Sequence, residues 1–388
     1  MKGRTLLMIP GPIEFEPAVL QALAAPTTSH VSPDFIETFG RAIERMREIW
    51  CAPSGQPFVL AGSGTLAMDT VGANLIEPGD RALVLSTGVF GDRFEDLLSR
   101  YGADVTVLRF PLGDTVDFEQ VDRAVAASGY KLITGTHVDT STGVRIDAER
   151  FGALGREHDV LTVLDGVCSV AGEEIRQDGW GLDVVLTASQ KAIGVPPGLA
   201  LVVAGPRAID AFRARRSPTA NYYADWEKWL PIMRAYEERR PSYFGTPAVN
   251  LVAALDVSLG QILTEGIDRR FERHRRLGLA CRAAIRALGL TQVPTSDDHA
   301  ASTLTAPKYP EGVVGTDLLP RIREAGAILA GGLHPEIRSE YFRIGHMGAT
   351  NFGDLLATVG AIEAGLQACG HGFEAGCGVA AAQSILFG

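Results

Sequence analysis

The stretches Leu161-Thr-Val-Leu-Asp165 and Val184-Val-Leu-Thr-Ala-Ser-Gln-Lys191 decide the fold of this chain. Each is a short apolar run that ends in polar residues, a pattern typical of a buried strand in a parallel sheet. In open α/β sheets, ligands bind outside the carboxyl ends of the strands. We therefore expect the Asp165 carboxylate and the Lys191 amine to lie close together in a ligand-binding crevice.

Apolar runs alternate with helical periodicity through the first half of the chain. Seven strands are predicted, at Phe58–Ala61, Arg81–Ser86, Val105–Phe110, Leu132–Thr136, Leu161–Asp165, the run from Val184, and Leu199–Val203. This alternation predicts an α/β fold with a doubly wound, mostly parallel sheet and right-handed crossovers. The segment between Lys191 and the last strand is too short for a crossover helix, so we predict that this strand runs antiparallel.

The chain is predicted to divide into an arm and two domains. The parts are an N-terminal arm at 1–16, a large domain at 17–256 and a smaller C-terminal α/β domain at 257–388. The domain boundary is placed inside a long helix that begins near Ala248. The aromatic segment 216–245 is predicted to be irregular and to form an interface, and the basic run Arg269–Arg276 to be a solvated helix face. No structure is assigned to the tail 370–388.

Composition excludes several classes of partner. The net charge of −10 and the pI near 5.4 argue against nucleic acid or an anionic membrane surface as a general partner. Five cysteines, odd in number and without metal-like spacing, indicate reduced thiols and predict no metal site. Because neither a signal peptide nor a transmembrane run is evident, we predict a cytoplasmic protein.

An aspartate and a lysine at neighbouring strand ends match the needs of pyridoxal 5′-phosphate (PLP). The lysine forms a Schiff base with the cofactor, and the aspartate pairs with the pyridinium nitrogen so that the ring acts as an electron sink. Lys191 alone among the five lysines follows an apolar run and has small neighbours. Ser63, Gly64 and Thr65 follow the first strand and open a helix, which predicts a phosphate-binding N-terminus. An ordinary tight turn is the alternative for this segment.

Further candidates surround the predicted cofactor. Phe90 follows a strand and is expected to stack on one face of the ring, with Val167 on the opposite face. Thr140 is expected to donate to the phenolic oxygen, and Gln190 to reach the phosphate. Arg343, inside a strand of the small domain, is the candidate for the substrate carboxylate, because a guanidinium binds carboxylates bidentately. A surface location is the alternative for this arginine.

Five motifs together carry a resemblance to a known family. They are Pro10-Gly-Pro-Ile13, Leu60-Ala-Gly-Ser-Gly-Thr65, Thr136-His-Val-Asp-Thr-Ser-Thr142, Leu186-Thr-Ala-Ser-Gln-Lys-Ala-Ile-Gly194 and Phe342-Arg-Ile-Gly-His-Met-Gly348. The chain resembles the class V aminotransferases of PLP fold type I, above all the alanine–glyoxylate aminotransferase group and its fungal branch. The resemblance implies amino transfer from alanine, or serine, to glyoxylate by a ping-pong route through the Lys191 Schiff base.

The resemblance also assigns roles to residues. It implies Asp165 under the pyridine nitrogen, and phosphate contacts from Ser63, Gly64, Thr65 and Gln190. It places Gly11 and Arg343 at the substrate. Tyr243 and Thr246 match positions that reach the phosphate of a neighbouring subunit, which implies a homodimer with shared active sites. Two positions depart from the mammalian members, since Phe90 stands for Trp and Thr65 for His, so their substrate preference does not carry over directly.

Other functions are compatible with parts of the pattern. Serine–glyoxylate and serine–pyruvate transfer use the same site, and a PLP lyase or cysteine desulfurase uses the same fold. A desulfurase needs a cysteine on a mobile loop, and Cys168 is expected to face away from the Asp165 side. A NAD-dependent dehydrogenase is disfavoured because no G-x-G-x-x-G motif follows the first strand. A non-catalytic binding module would not need a buried Asp and Lys at converging strand ends.

Overall fold

The computed structural model describes residues 5–388. The strands are β1 (Leu6–Leu7), β2 (Gln56–Ala61), β3 (Arg81–Ser86), β4 (Asp104–Arg109), β5 (Leu132–Thr136), β6 (Val138–Asp139), β7 (Val144–Arg145), β8 (Leu161–Asp165), β9 (Val184–Ala188), β10 (Leu199–Ala204), β11 (Leu304–Thr305), β12 (Ala327–Ile328), β13 (Ala330–Gly331) and β14 (Phe342–Gly345). The helices are α1 (Pro17–Ala24), α2 (Pro33–Ile49), α3 (Gly64–Leu75), α4 (Val89–Arg100), α5 (Phe118–Ala126), α6 (Ala148–Glu157), α7 (Gln177–Trp180), α8 (Pro206–Arg213), α9 (Trp226–Glu237), α10 (Val249–Glu265), α11 (Ile267–Ala287), α12 (Gly315–Glu324), α13 (Phe352–Ala368) and α14 (Cys377–Phe387).

The large sheet has seven strands in the order β2-β10-β9-β8-β5-β3-β4. All neighbours pair in parallel except β10, which runs antiparallel to both β2 and β9. Helices cover both faces, so the central strands are buried throughout their length, as in β8 and β9. The predicted strand number and the antiparallel last strand are confirmed. In register, Asp165 pairs with Leu186 and Thr136, which brings the ends of three strands to one edge.

The C-terminal part contains a second core around a three-stranded sheet, β11-β14-β13. The N-terminal segment joins this part, because β1 pairs in parallel with β12 and Met8 is buried in the second core. The first core extends as far as Ile262 in α10. The domain boundary near residue 256 stays a prediction, and residues 1–4 of the predicted arm lie outside the described range.

Two sequence predictions are wrong in detail, and a third segment, the tail, had no predicted structure. The segment 216–245 contains α9, whose buried residues Trp226, Trp229, Met233 and Tyr236 recur at helical spacing, while Pro231 sits on the exposed side. The tail forms α14, which packs against α11. The basic run on α11 is not solvated as a whole, because Arg270 and His274 are buried. Local composition concealed these features, since only packing partners distinguish a buried basic face from a solvated one.

Among residues 5–388, no helix combines the length and the apolar character that a membrane-spanning segment requires.

Candidate active site

Asp165 and Lys191 meet at the carboxyl edge of the large sheet. Asp165 ends β8 with 2% of its surface exposed, and its Oδ1 accepts a hydrogen bond of 2.9 Å from the Val167 N–H. Burial raises the pKa of Asp165 to about 7, against the lowering effects of the Val167 hydrogen bond and of the Lys191 charge. Burial likewise lowers the pKa of Lys191, which follows β9 and is 9% exposed. The Asp165 carboxylate and the Lys191 amine are thus close enough for each charge to affect the pKa of the other, but burial has the larger effect on both.

The N-terminal segment covers the Lys191 amine. The Nζ donates a hydrogen bond to the Pro10 carbonyl oxygen. Gly11 has a φ of +112°, and a Cβ there would lie 2.6 Å from Lys191 Cδ and 2.9 Å from Nζ. Only glycine fits this position without displacing the lysine. Gly11 therefore lies against the Lys191 amine, and its contact with a substrate stays a prediction.

The turn from β2 into α3 leaves hydrogen-bonding groups available. Ser63 is the N-cap of α3, and its side chain makes no capping hydrogen bond. The first amides of a helix lack partners within the helix, so those of Gly64 and Thr65 point outward with the positive end of the dipole. A Cβ on Gly64 would lie 3.0 Å from Val167 Cγ2. The helix start therefore sits against the segment that follows Asp165, and its donors suit a phosphate.

Phe90 lies in the first turn of α4. Its N–H donates to Asp139 Oδ2 at 2.9 Å, and the Gly91 N–H donates to the same oxygen at 3.2 Å. The guanidinium of Arg93 lies 4.6 Å from the centre of the Phe90 ring. Asp139, fully buried, thus fixes the start of the helix that presents Phe90. The sequence reasoning missed this residue, although its spacing from Ser141, whose N–H it accepts at 2.8 Å, is an Asx-turn signal.

Arg343 is half-buried in β14 and is held by backbone carbonyls. Its Nε donates to the Gly331 oxygen at 2.9 Å, and its Nη1 donates to the Thr140 oxygen at 3.3 Å. Within residues 5–388, no carboxylate forms an ion pair with this guanidinium. Its charge also lowers the pKa of Lys191, after the larger effect of burial. Arg343 is thus a cation that forms no ion pair among the described residues and whose charge acts on the Lys191 amine, so it is a suitable site for a carboxylate.

Tyr341 organises the loop beside Arg343 and was missed by the sequence reasoning. Its hydroxyl donates to the Ser141 carbonyl and accepts from the N–H groups of Leu333 at 2.8 Å and His334 at 2.9 Å. Because the side chain is fully buried, these bonds hold the loop after β13 against the loop after β6. A tyrosine one position before a strand gives no signal in the sequence for this role.

The predicted orientation of Cys168 is wrong. Its side chain packs in one buried cluster with Ile13 and with Ala192, the residue that follows Lys191. Burial raises the pKa of the thiol, and the Lys191 charge opposes this rise. The chain turns directly after β8, where the Ser169 N–H donates to the Gly166 oxygen at 3.0 Å, so strand alternation no longer applies. Cys168 therefore lies on the lysine side, but it is buried beside the strand end and does not lie on an exposed loop.

The remaining candidates are only partly buried or exposed. Gln190 is half-buried, and its Oε1 has no hydrogen-bond partner among the described residues. Tyr243 is 62% exposed, its hydroxyl lies 3.4 Å from Thr246 Oγ1, and its ring lies 5.1 Å from that of His30. Tyr243 and Thr246 thus lie together on the surface of the chain. Their contact with a neighbouring subunit stays a prediction.

These residues fit PLP as a set. A buried carboxylate, a desolvated amine and a helix start with an unbonded hydroxyl correspond to the ring nitrogen, the aldehyde and the phosphate of the cofactor. Phe90 and Val167 supply apolar surface, and Arg343 supplies a cation that pairs with no carboxylate among the described residues. A metal site is not indicated at these positions.

Comparison with known proteins identifies the family. Residues 19–343 match the model for "Aminotransferase class-V". Alanine–glyoxylate aminotransferase 1 of Saccharomyces cerevisiae is 39% identical over 362 residues, 90% of this chain and 93% of that protein. L-aspartate–glyoxylate aminotransferase of Paracoccus denitrificans is 31% identical over 99% of this chain and 96% of its own. The crystal structure of an alanine–glyoxylate aminotransferase from Nostoc sp. superposes with a TM-score of 0.88 at 31% identity, covering 94% of this chain and 96% of that one.

The predicted family, fold type and cofactor are confirmed by these matches. Class V aminotransferases of this type use PLP, and their substrates are amino acids and 2-oxo acids. The matched range includes the turn from β2 into α3 and ends at Arg343, inside β14. The chain therefore belongs to the class V aminotransferases and is a PLP-dependent enzyme of fold type I.

Proposed function

We propose that this aminotransferase moves the amino group of alanine, or of serine, to glyoxylate, giving pyruvate or hydroxypyruvate and glycine. The observation that carries the proposal is the placement of Arg343, a cation without a carboxylate partner, near the desolvated Lys191 amine. The Pro10 carbonyl and Gly11 lie directly on that amine. Little room remains there for a bulky side chain, which favours a small amino donor.

The choice of acceptor rests on the relatives. The Saccharomyces and Paracoccus proteins differ in the donor that their names give, but both names give glyoxylate. We therefore propose glyoxylate as the acceptor with alanine as the preferred donor and serine next. If aspartate proved a better donor than alanine and serine, the proposed donor would be wrong.

The roles of the residues follow from their environments. Bound PLP supplies an electron-withdrawing ring that stabilises the charge left when the Cα proton of the amino donor is removed. Lys191 Nζ takes that proton, because its lowered pKa leaves more of the amine neutral near neutral pH. The Asp165 carboxylate would face the ring nitrogen of PLP and stabilise its positive charge. Arg343 binds the substrate carboxylate bidentately. Ser63, Gly64, Thr65, Gln190, Phe90, Val167 and Thr140 hold the cofactor.

We further propose a homodimer in which Tyr243 and Thr246 complete the phosphate site of the partner. Both side chains are exposed and lie close together. Apolar side chains are exposed beside them: Tyr222, which contacts the Phe244 ring, is 75% exposed, and Val31, next to His30, is 44% exposed. Exposed aromatic and aliphatic groups of this kind suit a two-fold interface. A cytoplasmic location stays a prediction.

A donor-by-acceptor panel tests the proposed reaction. The purified protein, loaded with PLP, is assayed with alanine, serine and aspartate as donors and with glyoxylate, pyruvate and 2-oxoglutarate as acceptors. We expect the highest kcat/KM for alanine with glyoxylate and the next highest for serine with glyoxylate. A higher value for aspartate, or for 2-oxoglutarate as acceptor, would overturn the proposed substrates and leave the family assignment intact.

A further inference from the structure

One face of α11 touches the segments that follow both Lys191 and Arg343. Arg270, Arg273 and His274 are spaced three and four residues apart and therefore share this face. Arg270 is 7% exposed and His274 is fully buried. Buried polar groups are costly unless hydrogen-bonded, so the partners of these side chains indicate what the face does.

Arg270 bonds to the chain beside both strand-end residues. Its Nη2 donates to the Ala192 oxygen at 2.7 Å, and its Nε donates to the Ala171 oxygen at 2.9 Å. Its Nη1 donates to Glu265 Oε2 at 2.8 Å. Ala192 directly follows Lys191, and Ala171 ends the turn that begins after Asp165. Burial lowers the pKa of Arg270 to about 10, so the guanidinium remains protonated at neutral pH.

Arg273 and His274 hold both polar groups of Gly348, five residues after Arg343. The Gly348 N–H donates to His274 Nε2 at 2.9 Å, and Arg273 Nη2 donates to the Gly348 oxygen at 3.0 Å. His274 Nδ1 lies 2.7 Å from the Arg270 carbonyl oxygen, which only accepts. Nδ1 therefore carries the hydrogen and Nε2 is the acceptor, which agrees with the lowering of the His274 pKa by burial.

The two held segments also touch each other. Gly348 has a φ of +71°, and a Cβ there would lie 3.6 Å from Ala192 Cα and would collide with Ile13. The backbone that leaves the Arg343 strand is thus packed on the residue that follows Lys191. Gly348 is therefore a point at which the chain that follows Arg343 meets the chain that follows Lys191.

We propose that Arg270, Arg273 and His274 are positioning residues that set the distance between Lys191 and Arg343. They do so by fixing Ala192 and Gly348 to one rigid helix. The proposal rests on the proposed roles of Lys191 and Arg343 in amino transfer. A merely structural face would stabilise the fold without influencing how the substrate carboxylate and the amine are aligned.

Two substitutions loosen Gly348, a third restores one of the lost bonds, and a fourth controls for general destabilisation. His274→Leu removes the acceptor of the Gly348 N–H, and His274→Gln returns an acceptor near the position of Nε2. Arg273→Gln removes the bond to the Gly348 oxygen together with the Arg273 bonds to the Thr350 oxygen and to Glu265. Arg276→Gln is the matched control, because Arg276 is also half-buried on α11 and also donates to a backbone carbonyl, that of Leu386 in α14. Thermal unfolding is measured for all four.

The kinetic expectation separates the positioning role from a structural one. His274→Leu and Arg273→Gln should raise the KM for the best donor of the panel about tenfold, because each leaves a buried peptide group of Gly348 without its partner. His274→Gln should recover most of this loss, and Arg276→Gln should stay within twofold of the unaltered protein. A tenfold rise in Arg276→Gln as well, or no rise in folded Arg273→Gln, would overturn the proposal. If His274→Leu fails to fold, Arg273→Gln, which alters a half-exposed residue, decides.

A spectroscopic readout does not depend on turnover. The cation of Arg343 lowers the pKa of Lys191, and a nearby cation similarly disfavours a protonated nitrogen on PLP attached to that lysine. If Gly348 moves outward with Arg343, the pH midpoint of the PLP absorbance should rise in His274→Leu and Arg273→Gln but not in Arg276→Gln. An unchanged midpoint would contradict the positioning role. A different result would refute the proposed substrates and leave the positioning role intact. In that case the midpoint would shift in His274→Leu and Arg273→Gln, but the unaltered protein would not turn over alanine or serine with glyoxylate.

Discussion

Replacing Arg343 tests the substrate site most sharply. The guanidinium is anchored through Nε to Gly331 and through Nη1 to Thr140, so its orientation is set before any substrate arrives. Among the described residues it has no carboxylate partner, so its charge is available to a ligand. Arg343→Ala removes a charge-assisted bidentate contact worth about 2–4 kcal/mol when desolvated, or roughly 30- to 700-fold in KM at 1.4 kcal/mol per tenfold.

The assay compares three proteins. The KM for alanine and the PLP content are measured for the unaltered protein, Arg343→Ala and Arg343→Lys. We expect the alanine variant to retain PLP, because no predicted cofactor contact is removed. The lysine variant should be intermediate, since an ammonium keeps the charge but loses both the fork geometry and the anchors on Gly331 and Thr140. An unchanged KM for alanine in Arg343→Ala would refute the reasoning and place the carboxylate site elsewhere.

Two further predictions concern the pair of carboxylate and amine and the assembly. In PLP-free protein the folded-state pKa of Asp165 is raised from 3.8 to about 7, so its stabilising effect is lost as pH rises between these values. Asp165→Asn should therefore increase the melting temperature relative to the unaltered protein at pH 8 but not at pH 4, and an equal difference at both pH values would contradict this burial effect. The same variant, loaded with PLP, should lose orders of magnitude in kcat, and near-normal turnover would show that the carboxylate is structural. Inactive Lys191→Ala chains mixed with Tyr243→Ala/Thr246→Ala chains should regain activity at subsaturating PLP through one intact site per hybrid dimer, and verified subunit exchange without recovery would exclude shared sites.

The fold was predictable because its central strands are buried on both faces. Runs such as Leu161–Asp165 and Val184–Ala188 contain few polar residues, and their polar ends mark the edge where ligands bind. The antiparallel β10 followed from the length of one connection. Lys191 was distinguishable because few lysines follow a strand. These inferences need only local sequence and the geometry of a sheet.

The features that could not be predicted from the sequence depend on contacts between distant segments. Cys168 lies on the lysine side because the chain turns at Gly166, and alternation along a strand does not extend into a turn. Asp139 acts across a sequence distance of 49 residues on the Phe90 N–H. The burial of Arg270 is visible only once Ala192 is placed against it. Strand alternation and local composition describe one element at a time, so they do not predict contacts that form between elements.

The attachment of PLP to Lys191 is the central claim, and reduction with borohydride tests it most directly. The purified protein is incubated with PLP, reduced, digested and analysed by peptide mass, with Lys191→Ala treated in parallel. The account predicts a yellow protein whose absorbance band disappears on reduction, with the added mass on the peptide that contains Lys191 and none in the variant. A colourless protein, or a stoichiometric label on Lys131, Lys228 or Lys308, would contradict it.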